Sequence, residues 1–282
     1  MTIGICGGGI MGAGIALVCL QAGHSVTVYD SFEQAEERCG GFIRQQMEKA
    51  VTRGLITQAS ADEALGRYSF TATLEALHPS EIVIEAIIEN LPAKHELFRA
   101  LEAVIADTAI LATNTSSISV TALASVLTHP ERCVGMHFFN PAHVMKLVEV
   151  IAGVKTSPEL AQKVIELIKG LGKTPALAKD VPGFIVNRVA RNYYLESMRL
   201  VEEGASSFEQ TDALMQAAGF KMGPFELVDL IGVDTNYAVT LSVWEQYFHE
   251  PRFAPALLQK QYVDAGLFGR KTGEGFYKYE EK

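Results

Sequence analysis

Residues 7 to 14 read Gly7-Gly8-Gly9-Ile10-Met11-Gly12-Ala13-Gly14, with glycines at the spacing G-x-G-x-x-G. They follow an apolar, strand-like run, Thr2–Cys6, and open an uncharged run that reads as a helix. This is the most restrictive feature of the chain, because the spacing suits a strand that turns sharply into a helix. Gly7 serves the tight turn, Gly9 leaves room for a bulky group to approach the backbone, and Gly12 lets the helix pack closely on the strand. A helix N-terminus presents unpaired N–H groups and a partial positive charge, so the approaching group should be anionic. A second strand-like run, Ser25–Tyr29, ends at Asp30, where a carboxylate can accept both hydroxyls of a ribose and would repel a 2′-phosphate. The element therefore predicts a dinucleotide site for NAD rather than NADP, built from Gly7, Gly9, Ile10, Met11, Gly12 and Asp30. The strand before it and the helix after it separate it from an ordinary glycine-rich turn.

Short apolar runs alternate with longer helical patterns over the first 180 residues, which predicts βαβ units and a mostly parallel sheet. Strands are expected near Thr2–Cys6, Ser25–Tyr29, Glu81–Glu85, Ala109–Thr113, Cys133–His137 and Lys146–Ile151. A long, exposed, mixed-charge helix is expected over Phe32–Gly54, and amphipathic helices over Pro92–Ala106 and Pro158–Gly170. The turn Asp180-Val181-Pro182-Gly183 ends the alternation, and only helical periodicity follows, over 184–203, 207–218, 224–231, 233–248 and 254–264. The glycine-rich tail from Phe268 reads as a loop folded back on these helices. The fold class is thus α/β, a Rossmann-type doubly wound domain over 1–181, with an all-α domain over 182–282. A length of 282 residues suits two such domains.

Composition removes several classes of function. With 48% hydrophobic and 20% charged residues the chain is an ordinary globular one, and 33 acidic against 24 basic residues give a net charge of −9. A negative surface disfavours nucleic acid and anionic membranes as partners. Cys6, Cys19, Cys39 and Cys133 show neither CxxC nor His spacing, so no metal and no disulfide framework is expected, and the compartment is expected to be reducing. The run Ile10–Leu20 lacks the basic flank of a secretory leader, and no apolar run reaches the roughly 18 residues of a membrane span.

The chemistry is expected at the carboxyl ends of the later strands, where ligands bind in open α/β sheets. Asn114-Thr115-Ser116-Ser117 stands after one such strand, in a pattern that also suits a helix cap. His137 ends the next, and a hairpin-like turn near His143 would set it opposite Glu149. A carboxylate beside an imidazole fixes its tautomer and raises its basicity, leaving the other nitrogen to take a substrate proton. Without that partner, His137 would read as a core histidine between apolar neighbours. Asn187 lies near the start of the first helix after the turn, where its amide reaches toward the cleft or serves packing. Glu89 and Lys94 flank the loop after Glu81–Glu85, either near the nicotinamide half of the cofactor or as a solvated ion pair at a helix start.

These segments, together with Glu85-Ala-Ile-Ile-Glu-Asn-Leu, His-Phe-Phe-Asn-Pro, Val-Pro-Gly-Phe-Ile-Val-Asn-Arg, Met222-Gly-Pro and Gly273-Glu-Gly-Phe-Tyr, resemble the 3-hydroxyacyl-CoA dehydrogenases, the short-chain 3-hydroxybutyryl-CoA branch most of all. The resemblance runs from the first strand to the tail. It implies reversible oxidation of (S)-3-hydroxyacyl-CoA by NAD in fatty acid metabolism, with His137 as general base, Glu149 orienting it, and Ser116 and Asn187 bonding the reacting oxygens. It also implies a cytoplasmic homodimer joined through the helical domain, and a basic helix face for CoA. Arg44, Lys49 and Arg53 are the candidates here, with Lys49 and Arg53 four residues apart, although a solvated face beside Glu48 explains them equally well. Two other readings stand beside this one. A dehydrogenase of a free hydroxy acid, such as gulonate or carnitine, would need no such face, and a structural NAD-binding protein would need no His137 with Glu149.

Overall fold

The computed structural model describes residues 1–280. The chain divides into two compact units, one covering Met1–Val181 and the other beginning at Pro182.

In the first unit, β1 (Thr2–Cys6), α1 (Ile10–Gln21), β2 (Ser25–Tyr29), α2 (Ala35–Thr52), α3 (Gln58–Leu65) and β3 (Tyr68–Thr71) are followed by β4 (Ile82–Glu85), α4 (Leu91–Val104) and β5 (Ile110–Thr113). Then come α5 (Val120–Ala124), β6 (Cys133–Phe138), β7 (Leu147–Ala152), α6 (Pro158–Gly170) and β8 (Thr174–Lys179). The eight strands form one sheet in the order β3-β2-β1-β4-β5-β6-β7-β8. All neighbours are parallel except β6 and β7, which are antiparallel. The order reverses between β1 and β4, so the carboxyl ends of these strands border the crevice where a doubly wound sheet takes its ligand.

The core explains these elements. α1 is buried from Gly12 to Leu20 because it lies under the sheet, in one apolar cluster with Ile3, Ile5, Val26, Val28, Ile84 and Val134. β4 is buried along its whole length, as suits a central parallel strand.

The structure corrects the sequence reading at the sheet edges and on one helix. β3 and β8 were not expected. β3 is a short, half-buried edge strand of sequence Tyr-Ser-Phe-Thr, and β8 carries Pro175, which only an edge position tolerates, so neither shows clean alternation. The helix expected over Phe32–Gly54 begins at Ala35, and it is exposed on one face only: Ala35, Cys39, Gly40, Ile43 and Met47 are buried. α3 also went unforeseen.

The second unit consists of α7 (Val186–Glu202), α8 (Phe208–Ala217), α9 (Pro224–Ile231), α10 (Val233–Gln246) and α11 (Leu257–Asp264), followed by the glycine-rich tail. Leu195, Met198, Phe225, Val228, Val233 and Phe276 form its core. The tail does fold back. Phe276 stacks among Phe208, Phe225 and Tyr262, and Asp229 on α9 accepts the N–H groups of Phe276 and Tyr277 and the hydroxyl of Tyr279, each at 3.0 Å. A Cβ on Gly275 would lie 2.2 Å from the Asp229 carboxylate, so this clasp requires a bare backbone there.

Among the described residues, no helix is long and apolar enough to cross a membrane, and no group of His, Cys, Asp and Glu could hold a metal ion.

Candidate active site

Gly7 takes φ 108° and donates its N–H to the Tyr29 carbonyl at 2.7 Å, which turns the chain from β1 into α1. A Cβ on Gly12 would lie 1.8 Å from the Gly7 carbonyl oxygen, whereas one on Gly9 would meet nothing within 4 Å. So Gly12 is fixed by packing within the protein, and Gly9 faces open space. Gly9 caps α1 without a side chain, the first turn holds no acid, and Ile10 is 75% exposed. The result is a helix N-terminus whose N–H groups and dipole are available to a phosphate, and the residues present fit the pyrophosphate of a dinucleotide. Met11, half-buried, packs against the core from the same turn. Asp30 stands at the end of β2, its carboxylate accepting Gly8 N–H at 2.7 Å and Phe32 N–H at 3.0 Å. Those bonds hold it beside the glycine turn, in place for a ribose.

At the end of β4, Glu85 is wholly buried and Lys94 is 1% exposed. The Lys94 ammonium lies 3.0 Å from Glu85 and 2.7 Å from Glu89. A wholly solvated pair is therefore not what forms: Lys94 is buried against the enclosed Glu85 and reaches out to Glu89, whose side chain is 36% exposed, and so holds Glu89 in place. Burial pushes the Glu85 carboxyl up, against the opposing pull of Lys94 and the Thr113 hydroxyl. Burial would raise Glu89 too, but Lys94 and the hydroxyls of Thr115 and Ser117 outweigh it and hold Glu89 below the usual carboxylate range.

Glu89 gathers the loop after β5. One of its oxygens accepts the Thr115 hydroxyl at 2.6 Å, the N–H groups of Ser116 and Ser117 at 3.0 and 3.1 Å, and the Ser117 hydroxyl at 3.0 Å. Ser116 is half-buried there, and its own hydroxyl has no hydrogen bond among the described residues. Asn114 accepts the N–H of Phe138 at 2.8 Å and so ties the end of β5 to the end of β6, next to His137.

The hairpin expected around His143 exists. β6 and β7 pair with His137 opposite Glu149, and Nδ1 of His137 lies 2.8 Å from Oε2 of Glu149. His137 is 5% exposed, Glu149 is fully buried, and the Phe139 ring packs against the imidazole at 4.4 Å between centroids. A buried carboxylate so placed selects the tautomer and orientation of the ring.

Asn187 is the second residue of α7, in the second unit, half-buried, with its carbonyl 3.3 Å from Nε of Arg191. Lys49 is exposed on the last turn of α2 and Arg53 is exposed just past its end, and neither pairs with a carboxylate among the described residues. Arg44 is exposed on the same helix, its guanidinium folded back over Gly40. A cavity of about 840 Å³ lies at the amino ends of the central strands β1, β4, β5 and β6, among Pro79, Ala109, Arg132 and Leu167, and is lined by none of the candidate site residues.

The sequence reading missed how Glu89 works. It placed Glu89 near the cofactor, and nothing in a linear pattern links residue 89 to residues 115–117. The clamp exists because β4 and β5 are neighbours with their ends in register.

Residues 2–181 match the family "3-hydroxyacyl-CoA dehydrogenase, NAD binding domain", and residues 183–279 match "3-hydroxyacyl-CoA dehydrogenase, C-terminal domain". The chain is 45% identical over 98% of its length to the 3-hydroxyadipyl-CoA dehydrogenase of Escherichia coli, and spans 58% of that protein. It is 41% identical to a probable 3-hydroxybutyryl-CoA dehydrogenase of Deinococcus radiodurans, over 99% of this chain and 100% of that one. Among solved structures, the (S)-3-hydroxybutyryl-CoA dehydrogenase of Ralstonia eutropha superposes with a TM-score of 0.96 at 37% identity, covering 99% of each chain. On both of its units the chain belongs to the 3-hydroxyacyl-CoA dehydrogenase family of NAD-dependent oxidoreductases.

Proposed function

We propose that the chain interconverts (S)-3-hydroxyacyl-CoA and 3-oxoacyl-CoA, with 3-hydroxybutyryl-CoA as its substrate. The observation that carries this reading is the buried His137–Glu149 pair at the ends of strands whose sheet also forms the dinucleotide element. Bound NAD supplies the hydride acceptor for the hydrogen on C3. His137 takes the proton of the C3 hydroxyl, and in reverse the imidazolium returns it to the ketone oxygen. Glu149 orients the ring. Ser116, whose hydroxyl has no hydrogen bond among the described residues, and Asn187 hydrogen-bond the reacting oxygens. Glu89, Lys94 and Asn114 shape the pocket on the cofactor side. Lys49 and Arg53, exposed and without acidic partners among the described residues, receive CoA phosphates.

The same reading includes a homodimer through the helical unit, supported by the exposed Leu200, Leu214, Phe220, Leu230 and Leu257, and a cytoplasmic setting, supported by four buried free cysteines. The first test follows loss of NADH absorbance on addition of acetoacetyl-CoA or of free acetoacetate. Rapid turnover of the thioester alone is the expected result. Equal rates on the free acid would move the chain to the hydroxy-acid branch, and no rate on either would favour a binding role.

A further inference from the structure

The loop that presents Ser116 is held at two ends by carboxylates from distant parts of the first unit. Glu89 takes the upstream end, at Thr115, Ser116 and Ser117. Asp180 takes the downstream end: one oxygen accepts Val120 N–H at 3.0 Å, and the other accepts the Ser119 hydroxyl at 2.8 Å and Thr121 N–H at 2.7 Å. Between them, Ile118 donates its N–H to the Thr115 hydroxyl at 2.9 Å.

The helix that Asp180 caps is only five residues long, too short to sustain itself. Its first N–H groups need external acceptors, and a negative charge there also suits the helix dipole. Asp180 answers the first two, Val120 and Thr121. The third, Ala122, goes to the Ser119 oxygen at 3.1 Å, and that hydroxyl is oriented by its own donation to Asp180. One half-buried carboxylate thus organises the whole start of α5. Asp180 follows β8 directly and stands next to Val181, the last residue of the unit, so these bonds also fix where the chain leaves the sheet. The sequence pattern shows this Asp only as part of a turn between domains.

We propose that Asp180 is a positioning residue for the reaction, acting through Ser116: it anchors the far end of the loop whose near end Glu89 holds, and so sets the Ser116 hydroxyl. The proposal rests on the reading of Ser116 as a substrate contact. Asp180→Asn keeps the size of the side chain but faces an NH₂ group toward a donor, which loosens the anchor. Because displacements of about 1 Å cost up to roughly a hundredfold in rate, kcat with acetoacetyl-CoA should fall about ten- to a hundredfold while KM for NADH stays within about twofold. In a Ser116→Ala background the same substitution should cost less than about twofold more, since the group it positions is gone.

Ser116→Ala alone reports on the reading of Ser116: full kcat in that variant would sink the reading and, with it, this route. With Ser116→Ala impaired, a normal kcat in folded Asp180→Asn, or its full loss repeated in the Ser116→Ala background, would overturn the role of Asp180 alone. Should Asp180→Asn not fold, Ser119→Ala removes one of the three bonds to Asp180 and, with it, the acceptor of the Ala122 N–H. It is expected to lower kcat in the same direction and to be equally silent in the Ser116→Ala background; a normal kcat there would count against the proposal.

Discussion

His137, the base in the function proposed above, has a fully buried carboxylate 2.8 Å from its ring because the register of β6 and β7 sets Glu149 opposite it. Removing the base while keeping its shape, His137→Gln, should lower turnover of acetoacetyl-CoA by about 10²- to 10⁴-fold and leave NADH affinity nearly unchanged. Glu149→Gln should follow the same pattern more mildly, because the imidazole remains. Steady-state kinetics of the folded variants, alongside NADH titration by fluorescence, check both; near-normal kcat in His137→Gln would reject the assignment. Asp30 poses a separate residue-scale question. Its carboxylate is held by Gly8 and Phe32 N–H groups where a ribose would stand, so a 2′-phosphate brought there meets a fixed negative charge. Wild type should prefer NADH strongly over NADPH by kcat/KM, and Asp30→Ser should narrow the ratio from both sides. Equal use of the two by wild type would contradict the claim.

At the scale of elements, what the sequence revealed follows the strength of its local signals. The strand–turn–helix at residues 2–21, the helices that begin at Pro158 and Pro224, and the pairing of residues 137 and 149 were legible because glycine spacing, helix-start prolines and a short hairpin are local patterns. β3 and β8 were not, since β3 has only four residues, none of them fully buried, and β8 is interrupted by Pro175 with one buried residue in six. The Glu89 and Asp180 clamps were not legible either, because their partners lie 26 to 28 and 59 to 61 residues away and meet only when the sheet is assembled. The bridge at the start of α4 has an energetic consequence. Lys94→Met would leave Glu85 buried without its cation, which should cost about 3–5 kcal/mol of stability in urea unfolding, and adding Glu85→Leu should recover part of it. A loss under about 1 kcal/mol would mean that the bridge is not needed to hold Glu85. The β6–β7 hairpin carries a pH dependence of its own. Burial, then the charges of Lys173 and Lys49, hold His143 below the ordinary histidine range. The folded chain then binds fewer protons than the unfolded one, so stability present above an unfolded pKa of about 6.5 is lost as the pH falls below it. The midpoint of thermal unfolding should drop between pH 7.5 and 5.5, and His143→Asn should flatten that drop; an unchanged slope would remove His143 from the account.

On the function proposed above, the whole molecule must reconcile a net charge of −9 with a substrate that carries the phosphates of CoA. Long-range repulsion from such a surface slows encounter with a polyanion, so productive binding needs local positive potential at the rim of the site. Lys49 on α2 and Arg53 just past its end are the cations placed for this, exposed, four residues apart, and paired with no carboxylate among the described residues. Exposed charge pairs are worth only about 0.2–1 kcal/mol each and weaken as salt screens them. Losing two such contacts should therefore raise KM for acetoacetyl-CoA by about two- to thirtyfold. Because neither side chain belongs to the reacting centre, Lys49→Ala/Arg53→Ala should leave kcat almost unaltered, the signature of lost uniform binding. The salt dependence of KM distinguishes a phosphate contact from a lost packing stem: wild-type KM should climb between 20 and roughly 300 mM KCl, and the double variant should climb less. If KM and its salt slope are both unchanged in the double variant, this face of α2 is solvated surface, and the thioester's phosphates are met elsewhere.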